Sequence, residues 1–101
     1  MYIYAQQARS KPILKLALLA IKNEIAKRLR SRRKEAKLSQ VELANRSGVS
    51  LGSVKRFERE GEVSLSSLIK LAVVLGYEND FEQLFKRKNY QSIEEVLNET
   101  K

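Results

Sequence analysis

The side chains best suited to chemistry in this chain are cationic and hydrogen-bonding, and they gather between Gln40 and Glu58, in QVELANRSGVSLGSVKRFE. Gln40, Ser50, Ser53, Lys55 and Arg56 offer amide, hydroxyl, ammonium and guanidinium donors. Such groups hold anions and hydrogen-bond acceptors. The 101 residues contain no His and no Cys. That removes the commonest general base and the usual zinc, iron–sulfur and thiol chemistry. No paired carboxylates, Ser/Lys nucleophile arrangement or Gly-rich phosphate loop stands out. The chemistry on offer is recognition; an enzyme is a poor reading, and neither a metal nor a cofactor is expected.

Two short helices must position these groups. Apolar or small residues at Val41, Leu43, Ala44, Ser47, Val49, Val54 and Phe57 would bury one face of each, and Gly48 sits where the chain must reverse. The second helix is then left standing proud of the body. The DNA major groove is wide enough to admit such a helix. The charge agrees: the net value is +8, with fifteen Lys/Arg against four Asp/Glu in residues 1–59, but five against eight in 60–101. A basic body with a mildly acidic end suits a polyanion on one face and a protein contact on the other. Aromatic residues make up only 7%, which argues against a platform for stacking single-stranded bases.

The remaining pattern is all-α. Residues 1–11 alternate briefly at Tyr2, Ile3 and Tyr4 and read as an arm, disordered alone or added as a strand to a partner. Ser10 or Lys11 before Pro12 marks a helix start. From Ile13 to Ala36 there is no Gly or Pro, and Leu14, Leu18, Ile21, Ile25 and Leu29 form a stripe at spacings of three and four. Either one long helix runs through or it breaks near Lys22–Asn23. Ile13–Ile21 is the only membrane-like run and is too short to span a bilayer. A helix meeting the core or a partner is the better reading, with no membrane partner and a cytoplasmic location. Ser39 with Glu42 predicts a capping box opening the next helix, and Gly48 its close. Ser50 and Ser64 are expected to cap the third and fourth helices. The fourth carries Leu65, Leu68, Ile69, Ala72, Val73 and Leu75 on a wide apolar face ending at Gly76. Phe81, Leu84 and Phe85 are assigned to a short fifth helix. Ser92 with Glu95 opens a tail helix bearing Ile93, Val96 and Leu97. This divides the chain into an arm and helical extension (1–20), a five-helix body (21–85) and a tail (86–101).

Three stretches, IAKRLRSRRKEAKLSQ, VELANRSGVSLGSVKRFE and SLSSLIKLAVVLGY followed by FEQLF, together resemble the lambda-repressor-like (Cro/repressor, XRE-type) helix-turn-helix family. The resemblance covers about Ile21 to Phe85. The segment SGVSLGSVKRFE with its short Gly turn and SLSSL is also similar to antitoxins of the HipB type.

The resemblance implies roles. Gln40 would anchor a phosphate and brace the recognition helix, as a helix N-terminus suits an anion. Ser50, Leu51, Gly52 and Ser53 would form the first turn of that helix, with Leu51, Ser53 and Arg56 meeting base edges. Arg can bridge O6 and N7 of guanine, whereas Leu can meet only a thymine methyl. Lys55 would take phosphate, and Arg30 on the first helix belongs to the same DNA-binding set. Arg33 is implied to pair with Glu58 as a structural ion pair. Leu51 and Gly52 stand where many relatives carry hydrogen-bonding residues, so DNA shape and paired half-sites would share in specificity. The turn Arg59–Glu62 is less basic than a phosphate clamp should be. These expectations describe a homodimeric transcriptional repressor of a palindromic double-stranded DNA operator. The rivals are an antitoxin that also grips a toxin protein, and an adaptor or RNA binder using the same scaffold.

Overall fold

Pro12 lies in the first turn of the longest helix, where its missing N–H is no loss, and no Gly or Pro follows until Gly48. The computed structural model of the chain describes residues 10–88. The alternation at Tyr2–Tyr4 and the capping box at Ser92 lie outside them. Five α-helices make up the regular structure of the described residues: α1 Lys11–Glu35, α2 Gln40–Ser47, α3 Leu51–Glu60, α4 Leu65–Leu75 and α5 Glu78–Glu82. α1 runs unbroken through Lys22–Asn23 and through the junction expected at residues 20 and 21.

Side chains cap three of these helices as the sequence suggests. Ser39 Oγ accepts from the Glu42 amide at 3.0 Å, and Glu42 Oε1 accepts from the Ser39 amide at 2.9 Å, closing a capping box. Ser50 and Ser64 each accept from the amide three residues on, at 3.1 Å. Gly48 takes the left-handed conformation (φ 74°) that ends α2 and turns the chain into α3.

The core forms where α3 packs on α1 and α2, and α4 on α2 and α1. Leu43, Val54, Phe57 and Leu71 are fully excluded from solvent, with Ala26, Leu29, Ala44 and Val49 closing around them. Each of the four large side chains contributes about 1.5–3 kcal/mol by leaving water.

Four expectations need correction. The face of α1 turned to the body is the row Lys22, Ala26, Leu29 and Arg33, whereas Leu14, Leu18 and Ile21 are more than half exposed. Apolar periodicity misses this row because two of its members are cations whose heads are paired and whose stems pack. Lys22 runs beside the turn after α3 and pairs with Glu62; Arg33 pairs with Glu58. Val41, expected on the buried face of α2, is half exposed, because Leu43 and Ala44 take the core side. On α4 the fully buried residue is Leu71, absent from the expected apolar face, while Leu65 and Val73 of that face are exposed. Finally, Leu84 and Phe85 lie beyond α5. That helix buries no residue, so packing does not reward a longer one, and the chain leaves it in tight turns with Phe85 at φ 64° and 92% exposed.

Candidate nucleic-acid interface

α3 presents its outward groups because its inner side is fixed at both ends. Near its C-terminal end, Glu58 is gripped by a fork from α1. Arg33 Nε donates to Oε2 at 2.7 Å and Nη2 to Oε1 at 2.8 Å. Arg33 Nη1 donates to the Leu38 carbonyl at 2.9 Å, and Gln40 Nε2 donates to Glu58 Oε1 at 3.0 Å. One carboxylate thus ties together α1, the first residue of α2 and α3. The side chains of Arg33 and Glu58 are 9% and 4% exposed, so a planar bidentate pair stands where an unpaired charge would be expensive. Burial pushes the Glu58 carboxyl up, but the Arg33 and Gln40 hydrogen bonds and the Arg33 and Arg30 charges outweigh it and hold it below the usual carboxylate range. The hydrogen bond to Glu58 raises Arg33 against its own desolvation.

At the N-terminal end of α3, Ser50 caps the helix and its hydroxyl also donates to Ser53 Oγ at 2.8 Å. Ser53 thereby keeps its own hydroxyl proton for an outside acceptor. Gly52, Lys55 and Arg56 are exposed, and a Cβ at Gly52 would meet nothing within 4 Å. Leu51 is half-buried and packs against the core, so it presents less of itself outward than its neighbours do. Arg56 is held through Nε by Glu60 Oε2 at 3.2 Å, and Glu60 also takes Arg59 at 3.1 Å. Those two arginines hold the Glu60 carboxyl below its ordinary range.

Two clefts flank α3. One, of about 360 Å³, is lined by Arg30, Gln40, Lys55, Glu58 and Arg59. It brings together three of the expected site residues with Arg59, which the sequence reading left out. The signal for Arg59 was its spacing of four from Lys55, which sets both on one helix face. The other, of about 330 Å³, lies between Ser53 and Arg56 of α3 and Glu62, Val63, Ser64 and Ser67 at the start of α4. The exposed cations Lys55, Arg56 and Arg59 lie along α3 with Arg30 beside it, and the dipole of α3 favours anions at its first turn.

A helix-turn-helix family model matches residues 29–81, more than half of the chain and the whole of α2, α3 and α4. No curated protein and no solved structure matches the chain. The family is a DNA-binding regulatory one, and the all-helical architecture agrees with its fold. No helix among the described residues is long and apolar enough to cross a membrane. α2, α3 and α4 all fall within that match, and the chain belongs to the lambda-repressor-like (Cro/repressor, XRE-type) helix-turn-helix family.

Proposed function

We propose that the chain is a transcriptional repressor that binds a palindromic double-stranded operator as a homodimer and acts by excluding polymerase. The observation that carries this reading is the three-way tie at Glu58, which gives α3 a fixed presentation while leaving Gly52, Lys55 and Arg56 exposed. A rigidly held helix with a short polar and cationic outer surface suits insertion into a major groove. In this reading Arg56, Ser53 and the exposed part of Leu51 meet base edges, with Gly52 allowing close approach of the backbone. Gln40, Ser50, Lys55 and Arg30 take phosphates. A single module reaches few base pairs, and two half-sites on one duplex raise affinity and specificity together.

Footprinting on the DNA upstream of its own gene tests the reading. A protected region with two inverted half-sites about one helical turn apart is expected. Uniform protection of any sequence, abolished by moderate salt, would refute it. A second reading keeps DNA binding and adds a protein partner: an antitoxin that represses its own operon and grips a toxin. The exposed apolar N-terminal half of α1 favours it. Co-expression with the neighbouring gene product would yield a stable complex if this reading holds.

A further inference from the structure

Glu60, the last residue of α3, helps neither the helix nor a bound polyanion. A carboxylate in the last turn opposes the helix dipole, and an acid four residues after a cation is the weaker order of such a pair. It also stands among the exposed Lys55, Arg56 and Arg59, where an approaching phosphate backbone would meet it. Its Oε2 accepts from Arg56 Nε at 3.2 Å, while Oε1 accepts from Arg59 Nη2 at 3.1 Å and from Arg59 Nε at 3.3 Å. One carboxylate thus stands between two guanidiniums. Arg56 lines the cleft beside Ser53 and Ser64, and Arg59 the cleft beside Gln40. Glu62, the other acid lining the cleft with Arg56, is engaged by Lys22. Among the described residues Arg56 donates only through Nε. Both Nη groups, the outer edge of the fork, are left for an outside acceptor.

We propose that Glu60 is a positioning residue for base discrimination: by holding Nε it aims the paired Nη groups of Arg56 at O6 and N7 of a guanine, and by its charge it keeps the same arginine from settling on a phosphate. An arginine has many rotamers to lose on binding, and one already tethered at Nε loses fewer. The two Nη groups side by side match the guanine edge. A guanidinium already facing a carboxylate attracts a phosphate less. Both effects widen the gap between the right and the wrong sequence, the second by repulsion rather than by a new contact. The inference rests on the reading of Arg56 as a base-contacting residue, and the experiment separates the two.

The full chain first selects duplexes from a random pool. Guanines of the selected half-site are then replaced one at a time by 7-deazaguanine, which keeps O6 and lacks N7. At one guanine the wild type is expected to lose about tenfold in affinity, and Arg56→Ala to be indifferent to the replacement. Glu60→Gln is expected to lose less than about threefold there. Its melting temperature should match the wild type, because the side chain it alters is exposed. It should also bind scrambled DNA more tightly and with a steeper salt dependence. Glu60→Asp, which keeps the charge but shortens the arm, should lose the guanine sensitivity without the gain on scrambled DNA. Equal losses for Glu60→Gln and wild type, at a guanine to which Arg56→Ala is indifferent, would overturn the inference and leave the base contact standing. An Arg56→Ala variant as sensitive as the wild type, or a chain that selects no sequence, would remove the base contact and the inference with it.

Discussion

Removing Arg33 is the sharpest probe of how α3 is held. Arg33→Ala deletes two charge-assisted hydrogen bonds to Glu58, at 2.7 and 2.8 Å, and one to the Leu38 carbonyl at 2.9 Å. Breaking a buried pair by removing one member costs about 3–5 kcal/mol, because the other charge is stranded. Here Gln40 still donates to Glu58, and water can enter the vacated space. We therefore expect the low end, about 3 kcal/mol. For a domain of this size that is a fall in Tm of about 12–24 °C. Glu58→Gln keeps the shape and one acceptor, so a smaller loss of about 1–2 kcal/mol is expected. Arg33→Ala/Glu58→Ala should lose less than the sum of its single variants, since no charge is left unpaired. The pH dependence has a definite sign. The Glu58 carboxyl is depressed in the folded chain, so its stabilisation is fully present above the unfolded carboxylate pKa of about 4.3 and is lost as pH falls through the lower folded value. Acid should therefore destabilise the wild type more steeply than Glu58→Gln, which has no proton to take up there. Denaturant melts from neutral pH to about pH 2 read both effects. Additivity of the two alanine variants within about 0.5 kcal/mol, or equal acid slopes for wild type and Glu58→Gln, would refute the reasoning.

Arg56→Ala should weaken binding to the footprinted operator by about 1–3 kcal/mol and spare random DNA, whereas Lys55→Ala should weaken both alike; titrations of matched and scrambled duplexes separate the two. Gly61→Ala should destabilise the fold more than Gly48→Ala. Both glycines have φ 74°, but a Cβ at Gly61 would sit 3.0 Å from the Lys22 carbonyl oxygen, whereas one at Gly48 meets nothing within 4 Å; thermal melts give the order. Ser39→Ala should lower stability by about 1 kcal/mol through loss of the cap, with DNA affinity at saturating protein unchanged. Glu60→Gln should release Arg56 and Arg59 from their shared carboxylate and steepen the salt dependence of non-specific DNA binding.

Local signals were the legible part of this fold. Ser39, Ser50, Ser64, Gly48 and Gly76 announce helix ends because capping depends on residues three or four apart. The Arg33–Glu58 contact is separated by 25 residues and entered through family resemblance, since no local rule joins those positions. What pattern reading could not see was which side of α1 faces inward. Two cations on the inner row disguise it, and a stripe of leucines about a quarter-turn away imitates it. Leu71 was missed for a related reason: α4 is apolar nearly all round, so its sequence does not say which residue points to the core. The cleft around Gln40 depends on where three helices meet, so the spacing of Arg59 from Lys55 sets both on one face of α3 but does not by itself place them beside Gln40.

α1 also acts as a ruler. Its 25 residues run from the exposed leucines to Arg33 with no glycine, internal proline or other joint between them. Leu18 and Arg33 are fifteen residues apart, about 22 Å along a helix that bends little. Whatever seizes the leucine end is therefore geared to Glu58, and through it to α3, at a fixed distance and a fixed rotation. One residue inserted between Ile21 and Ala26 would turn the two ends about 100° out of phase without removing a single contact-making side chain from either. The length of this helix therefore fixes both the distance and the phase between its exposed leucines and the Arg33–Glu58 pair.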